Sequence, residues 1–260
     1  MIKFFRKIRQ GLLAENKFTK YLIYALGEIV LVVIGILIAL QINNWNELRK
    51  VHGQEVTFLR GLKTDLLADQ SQLDLLIEAR TSKVECAIEL LKPIPLNNYQ
   101  QIFTADSMIS KLFGWIEFVP QTNTFDELVS TGNLNIIKND SIKSMLLELK
   151  RLHGVDHTYT EHMRREFDHY LYDRHNELRD TWAFGDLEAS WKSKSRIFRS
   201  LSEEELQELA VQTKVLLDDR QTRNGLTLAG GNNMGLLNGN RKMDDLAERI
   251  INLIDKELGK

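Results

Sequence analysis

Five of the six histidines in this chain fall between residues 153 and 175: His153, His157, His162, His169 and His175. Imidazoles four residues apart share one face of a helix, an arrangement that metal-binding pairs use. His153 and His157 have that spacing, and Asp156, Glu161, Glu166, Asp168 and Asp173 would add oxygen ligands. The pattern stops short of a metal motif, however. No H-E-x-x-H run occurs, the later histidines drift around the helix, and Gly154 sits inside the pair. Solvated polar-face residues account for the cluster better. His153 and His157 therefore stand as weak metal candidates, and no catalytic residue, cofactor site or cofactor is assigned.

A second biased segment mixes Gly225, Gly230, Gly231, Gly235 and Gly239 with Asn224, Asn232, Asn233, Asn238 and Asn240. A phosphate-cradling loop needs G-x-x-x-x-G-K-[ST] between a strand and a helix. Gly230 and Gly235 have the spacing, but Leu236 stands where the lysine belongs and no strand pattern precedes. Gly231, Gly235 and Gly239, at steps of four, would alternatively let two helices touch. The plainest expectation is a flexible turn between the last two helices. Cys86 is the single cysteine, so no intrachain disulfide forms, and it is expected to pack as a small side chain. A Ser-His-Asp triad is a matter of geometry, and residue order alone identifies none.

The element that positions everything else is an apolar run, Tyr21 to Ile42. At the helical rise its length is roughly 33 Å, enough for a bilayer core of about 30 Å. It exceeds the short core of a signal peptide, and Gln41-Ile-Asn-Asn-Trp45 offers no A-x-A cleavage site. Ile29 to Leu40 is apolar all round, unlike a helix packed on one side. Trp45, Tyr21 and Tyr24 fit interfacial aromatic belts. The run therefore reads as an uncleaved membrane anchor.

Charge gives it a direction. Lys3, Arg6, Lys7, Arg9, Lys17 and Lys20 precede the run, whereas Arg49 and Lys50 are the basic residues just after it. The positive-inside rule then predicts a cytoplasmic N-terminus and a C-terminal domain outside the cytoplasm, in the periplasm. Phe5, Ile8 and Leu12 recur among the first basic residues, so residues 1–20 form either a basic amphipathic segment on the inner membrane surface or an ordinary topological flank. Residues 43–260 carry 28 Lys and Arg against 34 Asp and Glu, a net −6, which argues against a nucleic-acid partner.

Inside the run, Tyr24, Glu28, Gly35 and Ala39 lie along one stripe. Gly35-x-x-x-Ala39 is a small-x-x-x-small pair, and an acidic side chain in such a run is a functional-site hypothesis by default. The stripe predicts packing on another span, from a second copy or another membrane protein, with the bilayer as the other partner. The alternative is a Glu28 close enough to the headgroups to stay wet.

Beyond the run the pattern is helical throughout. Leu59, Leu62, Leu66, Leu73, Leu76, Ile77, Val84, Ile88 and Leu91 predict a long helix continuing to Pro93. Ala105 to Trp115 predicts another helix. Thr124 and Glu127 have capping-box spacing for a short helix over Phe125 to Thr131, stopped by Gly132. Asn139 or Asp140 caps a helix running to about Leu178, with a soft point at Gly154. Trp182, Phe184, Trp191, Ile197 and Phe198 lie in an irregular stretch. Ser202 and Glu205 form a second capping box with Leu201 and Leu206 as its staple. Met243, Leu246, Ile250, Ile251, Leu253 and Ile254 mark the last helix. The fold class is all-α: an N-terminal transmembrane helix continuing into a long helix, then an extramembrane helical bundle.

The opening MIKFFRKIRQ and the segment GEIVLVVIGILIALQINNW resemble a large family of uncharacterised single-pass membrane proteins from flavobacteria and their relatives, catalogued as a domain of unknown function. Thr124 to Leu134, TFDELVSTGNL, is similar to that family's internal motif. The likeness is close over residues 1–50 and holds in outline beyond them. It implies a membrane anchor plus a helical domain and brings no activity. Three segments are expected: 1–20 cytoplasmic, 21–42 transmembrane and 43–260 extracytoplasmic. The favoured reading is an interaction, scaffold or sensing module of the cell envelope, anchored in the inner membrane and not an enzyme. The alternative is an envelope enzyme or metal-binding protein using the His-rich helix 153–175.

Overall fold

A computed structural model describes residues 18–193 and 197–259 of the 260-residue chain. The expected basic amphipathic segment before the apolar run lies almost entirely outside the described residues. Among the described residues the chain is helical with no strand, apart from one isolated antiparallel bridge between Gly185 and Phe198. A long N-terminal helix is followed by a helical bundle. The chain divides into two compact units at Thr57/Phe58.

Helix α1, Phe18–Leu90, is 73 residues long. In the N-terminal unit its leucine, isoleucine and valine side chains from Leu22 to Ile42 are 45–68 % exposed. In the second unit the same helix presents Leu59, Leu62, Leu66, Leu73 and Leu76 to the core, each at most 4 % exposed. It stops before Pro93 because the residue preceding a proline is driven from helical geometry. The Arg223 guanidinium then donates to the Leu91 carbonyl at 2.9 Å.

Helix α2, Tyr99–Phe113, begins six residues earlier than the apolar pattern predicts. Its start signal is Asn98, whose side chain accepts from the Gln101 N–H, while Gln101 Oε1 accepts from the Asn97 N–H. Helix α3, Asn123–Ser130, overturns the expected capping box. Thr124 lies inside the helix, and its N–H donates to Asp65 of α1 at 2.9 Å. The cap thus comes from another helix. Gly132 follows at φ 71°, the left-handed turn that stops a helix at least cost with glycine. A 3-10 turn, Asn133–Ile136, leads on.

Helix α4, Asp140–Phe167, starts as expected on Asn139, whose side chain accepts from Ser141 N and Ile142 N. Its soft point is not Gly154, which stays helical. The irregularity is a π-helical turn at Asp168–Tyr172, after which α5 covers Asp173–Leu178. The expected irregular stretch contains two short helices, α6 at Thr181–Phe184 and α7 at Leu187–Ser193. Helix α8, Glu203–Asp218, carries the Ser202–Glu205 capping box in full.

The Gly/Asn-rich segment is not a turn. It lies inside helix α9, Arg220–Leu258, 39 residues long. The turn falls instead at Asp219, which ends α8 and caps α9 through Thr222 N–H at 2.8 Å. The glycines stay helical because some sit where helices nearly touch. A Cβ on Gly225 would stand 2.8 Å from Leu171 and 2.9 Å from the Tyr170 backbone oxygen, and one on Gly230 would meet Ala87 at 3.3 Å. Of the stepped glycines, Gly235 would meet the Tyr159 hydroxyl at 3.1 Å, whereas Gly231 and Gly239 have nothing within 4 Å.

In the second unit α1, α4 and α9 enclose two main cores. One joins Leu62, Leu66 and Leu76 to Phe125, Leu128, Ile142, Leu149, Ala247 and Ile250. The other joins Ala87 and Leu90 to Leu112, Met163, Phe167, Leu216 and Leu226. A smaller third core gathers Ile102, Phe184, Phe198 and Leu209. The packing gives opposite outcomes for two glycines of one helix. Gly225→Ala is expected to cost roughly 1–3 kcal/mol by overpacking. Gly231→Ala should add about 0.5–1 kcal/mol through helix propensity. Urea unfolding followed by circular dichroism checks both, and two neutral substitutions would contradict the helical assignment.

Candidate functional site

Two regions hold the residues singled out by sequence. The first is the apolar part of α1. One helix of the described chain is long and apolar enough to cross a membrane, and its most apolar window is wholly unburied. Glu28 is partly exposed, and Ala39 is exposed. A Cβ on Gly35 would meet nothing within 4 Å, so no contact within the chain requires glycine there. Tyr24 belongs to α1, but its side chain lies outside the described residues.

The second region surrounds His153. Side chains four and three residues apart on α1 hold the link between α2 and α3. The Val119 N–H donates to Gln72 Oε1, the Gln121 N–H to Asp69 Oδ1 and the Thr124 N–H to Asp65 Oδ2, at 2.7, 2.7 and 2.9 Å. Between this link and α4 lies a cavity of about 20 Å³. Its polar walls are Asp65, Asp69, Gln121, Thr122, Lys150 and His153, and its apolar walls include Leu62, Leu66 and Phe125. A volume of that order holds about one water molecule.

His153 does not behave as a solvated polar-face residue. Its ring packs edge-on to Phe118 at 5.4 Å, and both ring nitrogens are buried without a hydrogen-bond partner among the described residues. Burial, with the Lys150 cation second, lowers its pKa from 6.5 to about 4, so the ring is neutral at pH 7. His157 sits apart from it on the surface, 3.1 Å from Glu117. The structure does not bring the two together as ligands. His162 and His169 are exposed, as expected, but His175 is buried against Phe113. Among the described residues no three His, Cys, Asp or Glu side chains are grouped so as to hold a metal ion. Cys86 is buried and unbridged.

Asp69 is the residue the sequence did not flag. It is 3 % exposed, and burial raises its pKa from 3.8 to about 6, against the lowering effect of the Gln121 N–H and with Asp65 adding to the rise. The signal was the i, i+4, i+7 row of Asp65, Asp69 and Gln72, which a purely apolar count of α1 passes over. Three other hollows, of 190, 380 and 480 Å³, have no histidine in their walls.

Asp69 and His153 couple folding to pH in opposite senses. A carboxyl that holds its proton more tightly when folded loses stability as pH rises from about 4 to 6. An imidazole that holds its proton less tightly when folded loses stability as pH falls from 6.5 towards 4. The two offset each other over most of this range. Asp69→Asn keeps the acceptor for Gln121 and should raise stability at pH 7 by roughly 1–3 kcal/mol, leaving a decline on acidification from pH 6.5 to 4.5. His153→Gln should unmask the reverse slope. Urea titrations of the detergent-solubilised chain across this window test both, and parallel profiles for wild type and both variants would refute the assignment.

Residues 28–178 match a family described as a family of unknown function, DUF6090. No curated protein and no solved structure matches the chain.

Proposed function

This chain belongs to DUF6090, a family of unknown function, and on that premise we propose that it is a membrane-anchored helical interaction module of the cell envelope. The observation that carries the reading is the uncovered apolar surface of α1, with every leucine, isoleucine and valine from Leu22 to Ile42 at least 45 % exposed. Continuous apolar surface on that scale is unstable in water and calls for lipid or protein around it. The helix is long enough for a bilayer, and the family match starts at Glu28, inside the run, so most of the candidate span belongs to what defines the family.

The basic flank before the run supports a cytoplasmic N-terminus and an inner-membrane location, with the helical domain in the periplasm. The single-pass, flavobacterial-type anchor is part of this reading. The cavity beside His153 has about one-water size, which suits structure better than a substrate. Carbonate extraction should leave the chain in the membrane pellet. Protease added to intact spheroplasts should digest the C-terminal domain, and a protected domain would overturn the orientation.

Within the span, the stripe of Tyr24, Glu28, Gly35 and Ala39 is the proposed contact for a second copy or another membrane helix. Small residues let helix backbones approach, and a carboxyl at the contact gains hydrogen bonds that lipid cannot provide. Cross-linking in membranes should give several-fold less oligomer for Glu28→Leu combined with Gly35→Leu than for wild type. Equal yields would remove the stripe as a contact.

A further inference from the structure

The two main cores of the second unit are separated by charged and amide side chains. Along α1 the buried positions run from Leu76 in the first core, through Arg80 and Lys83, to Ala87 in the second. Along α4 they run from Leu149 through Asp156 and Thr160 to Met163, and along α9 from Met243 through Asn240 to Leu236. Arg80, Lys83, Asp156, Thr160 and Asn240 are each at most 6 % exposed. Helices α1 and α4 therefore change from apolar to polar at one level of the stack and change back beyond it, and α9 adds Asn240 at that level, with Asn233 a second buried amide on the far side.

The level is held by few bonds. Asn240 Nδ2 donates to Asp156 Oδ1 at 3.0 Å, and Asp156 and Arg80 attract one another as charges. Lys83 donates to the Gly114 carbonyl and sits 6.0 Å over the Phe167 ring. Among the described residues Arg80 Nε and Nη2, Thr160 Oγ1 and Asn240 Oδ1 are buried with no hydrogen-bond partner. Burial is unfavourable for each charge: it lowers the pKa of Lys83 to about 8, lowers that of Arg80 and raises that of Asp156. Buried polar groups left partly unsatisfied weaken the packing around them, so such a layer transmits less cohesion than apolar packing at the same level would.

We propose that this polar belt is a conformational joint: it divides the helical domain into two cooperative units, so that the half built on Met163, Phe167 and Leu226 can open while the half built on Leu66, Ile142 and Ile250 stays folded. The half expected to open first contains the π-helical turn Asp168–Tyr172 and the glycines Gly225, Gly230, Gly231 and Gly235 of α9, features that lower local helix stability. It also carries Ile109 and Leu112 of α2 and Leu216 and Leu217 of α8, so these helices move with it. The other half carries α3, clipped to α1 by Asp65 and Asp69. The joint lies wholly within residues 58–260 and is independent of the membrane reading.

Native-state hydrogen exchange on the full chain in nanodiscs tests the proposal. In wild type, amides of residues 163–167 and 226–236 should be protected at least 10-fold less than those of 142–149 and 243–254, with openings that respond differently to low urea. Equal protection and equal urea response on the two sides would overturn the joint, whatever any variant does. The combined variant Arg80→Met, Asp156→Leu, Asn240→Leu should bring the two sides to within about 3-fold of each other. A folded variant, judged by circular dichroism, that keeps the wild-type gap would also overturn it. If that variant does not fold, Thr160→Val alone, which removes a buried hydroxyl that makes no hydrogen bond among the described residues, should narrow the gap, and an unchanged gap there counts against the joint.

Discussion

Carboxylates on one helix accepting main-chain amides from another segment are the contact on which the first core depends. Asp65 and Asp69 of α1 hold Thr124 and Gln121, and Gln72 holds Val119. An extended link has no ladder of its own, and its amides find their acceptors on α1. By supplying them, α1 fixes where α3 begins and brings Phe125 and Leu128 into the core with Leu62 and Leu66. One carboxylate serves as the helix cap that Thr122 does not supply. The cost is a buried acid, and Asp69 bears it with a pKa near 6.

The same helix sets the register of α9. Lys63 pairs with Asp255 at 2.5 Å, Gln70 bonds Asp244 at 3.1 Å, and the Gly230 position faces Ala87. As the α1 number rises the α9 number falls, so the two helices run antiparallel. Helix α4 joins them through Asn139 to Glu257 near one end and Asp156 to Asn240 in the middle. The polar contacts are spaced along the stack, and the apolar clusters lie between them. Side chains with fixed donors and acceptors tolerate no slip of one turn, whereas leucines alone would accept several registers.

Much of this was legible in the sequence because it is local. The Ser202–Glu205 box, the Asn139 cap, the Gly132 stop and the proline that ends α1 each depend on neighbours within four residues, and each stands as expected. The misreadings share a cause. Thr124 and Glu127 have box spacing, but Asp65, 59 residues earlier, competes for the amide. The Gly/Asn run has a turn's composition, yet Leu171, Tyr170 and Ala87 on other helices make its small residues useful within a helix. His153 has the spacing of a surface pair, but Phe118 covers it. Nothing in the local pattern marks the π-helical turn, since Asp168–Tyr172 reads as ordinary helix. Of the candidate site, the exposed stripe of α1 could be read from hydropathy, while the cavity beside His153 needed the fold.

Asp219 ends α8, begins α9 through Thr222, and receives two bonds from the Arg174 guanidinium of α5 at 2.9 and 3.3 Å. Three helix ends thus meet at one residue, and the side-chain bonds to Arg174 and Thr222 hold its pKa down at about 2. Such a residue has little freedom to vary alone. An amide there would keep the cap but weaken the tie to α5, and a neutral residue at 174 would leave the carboxylate without its cation. Among related sequences, positions 174 and 219 are therefore bound to drift as a pair, and a chain that has lost one should carry a changed residue at the other.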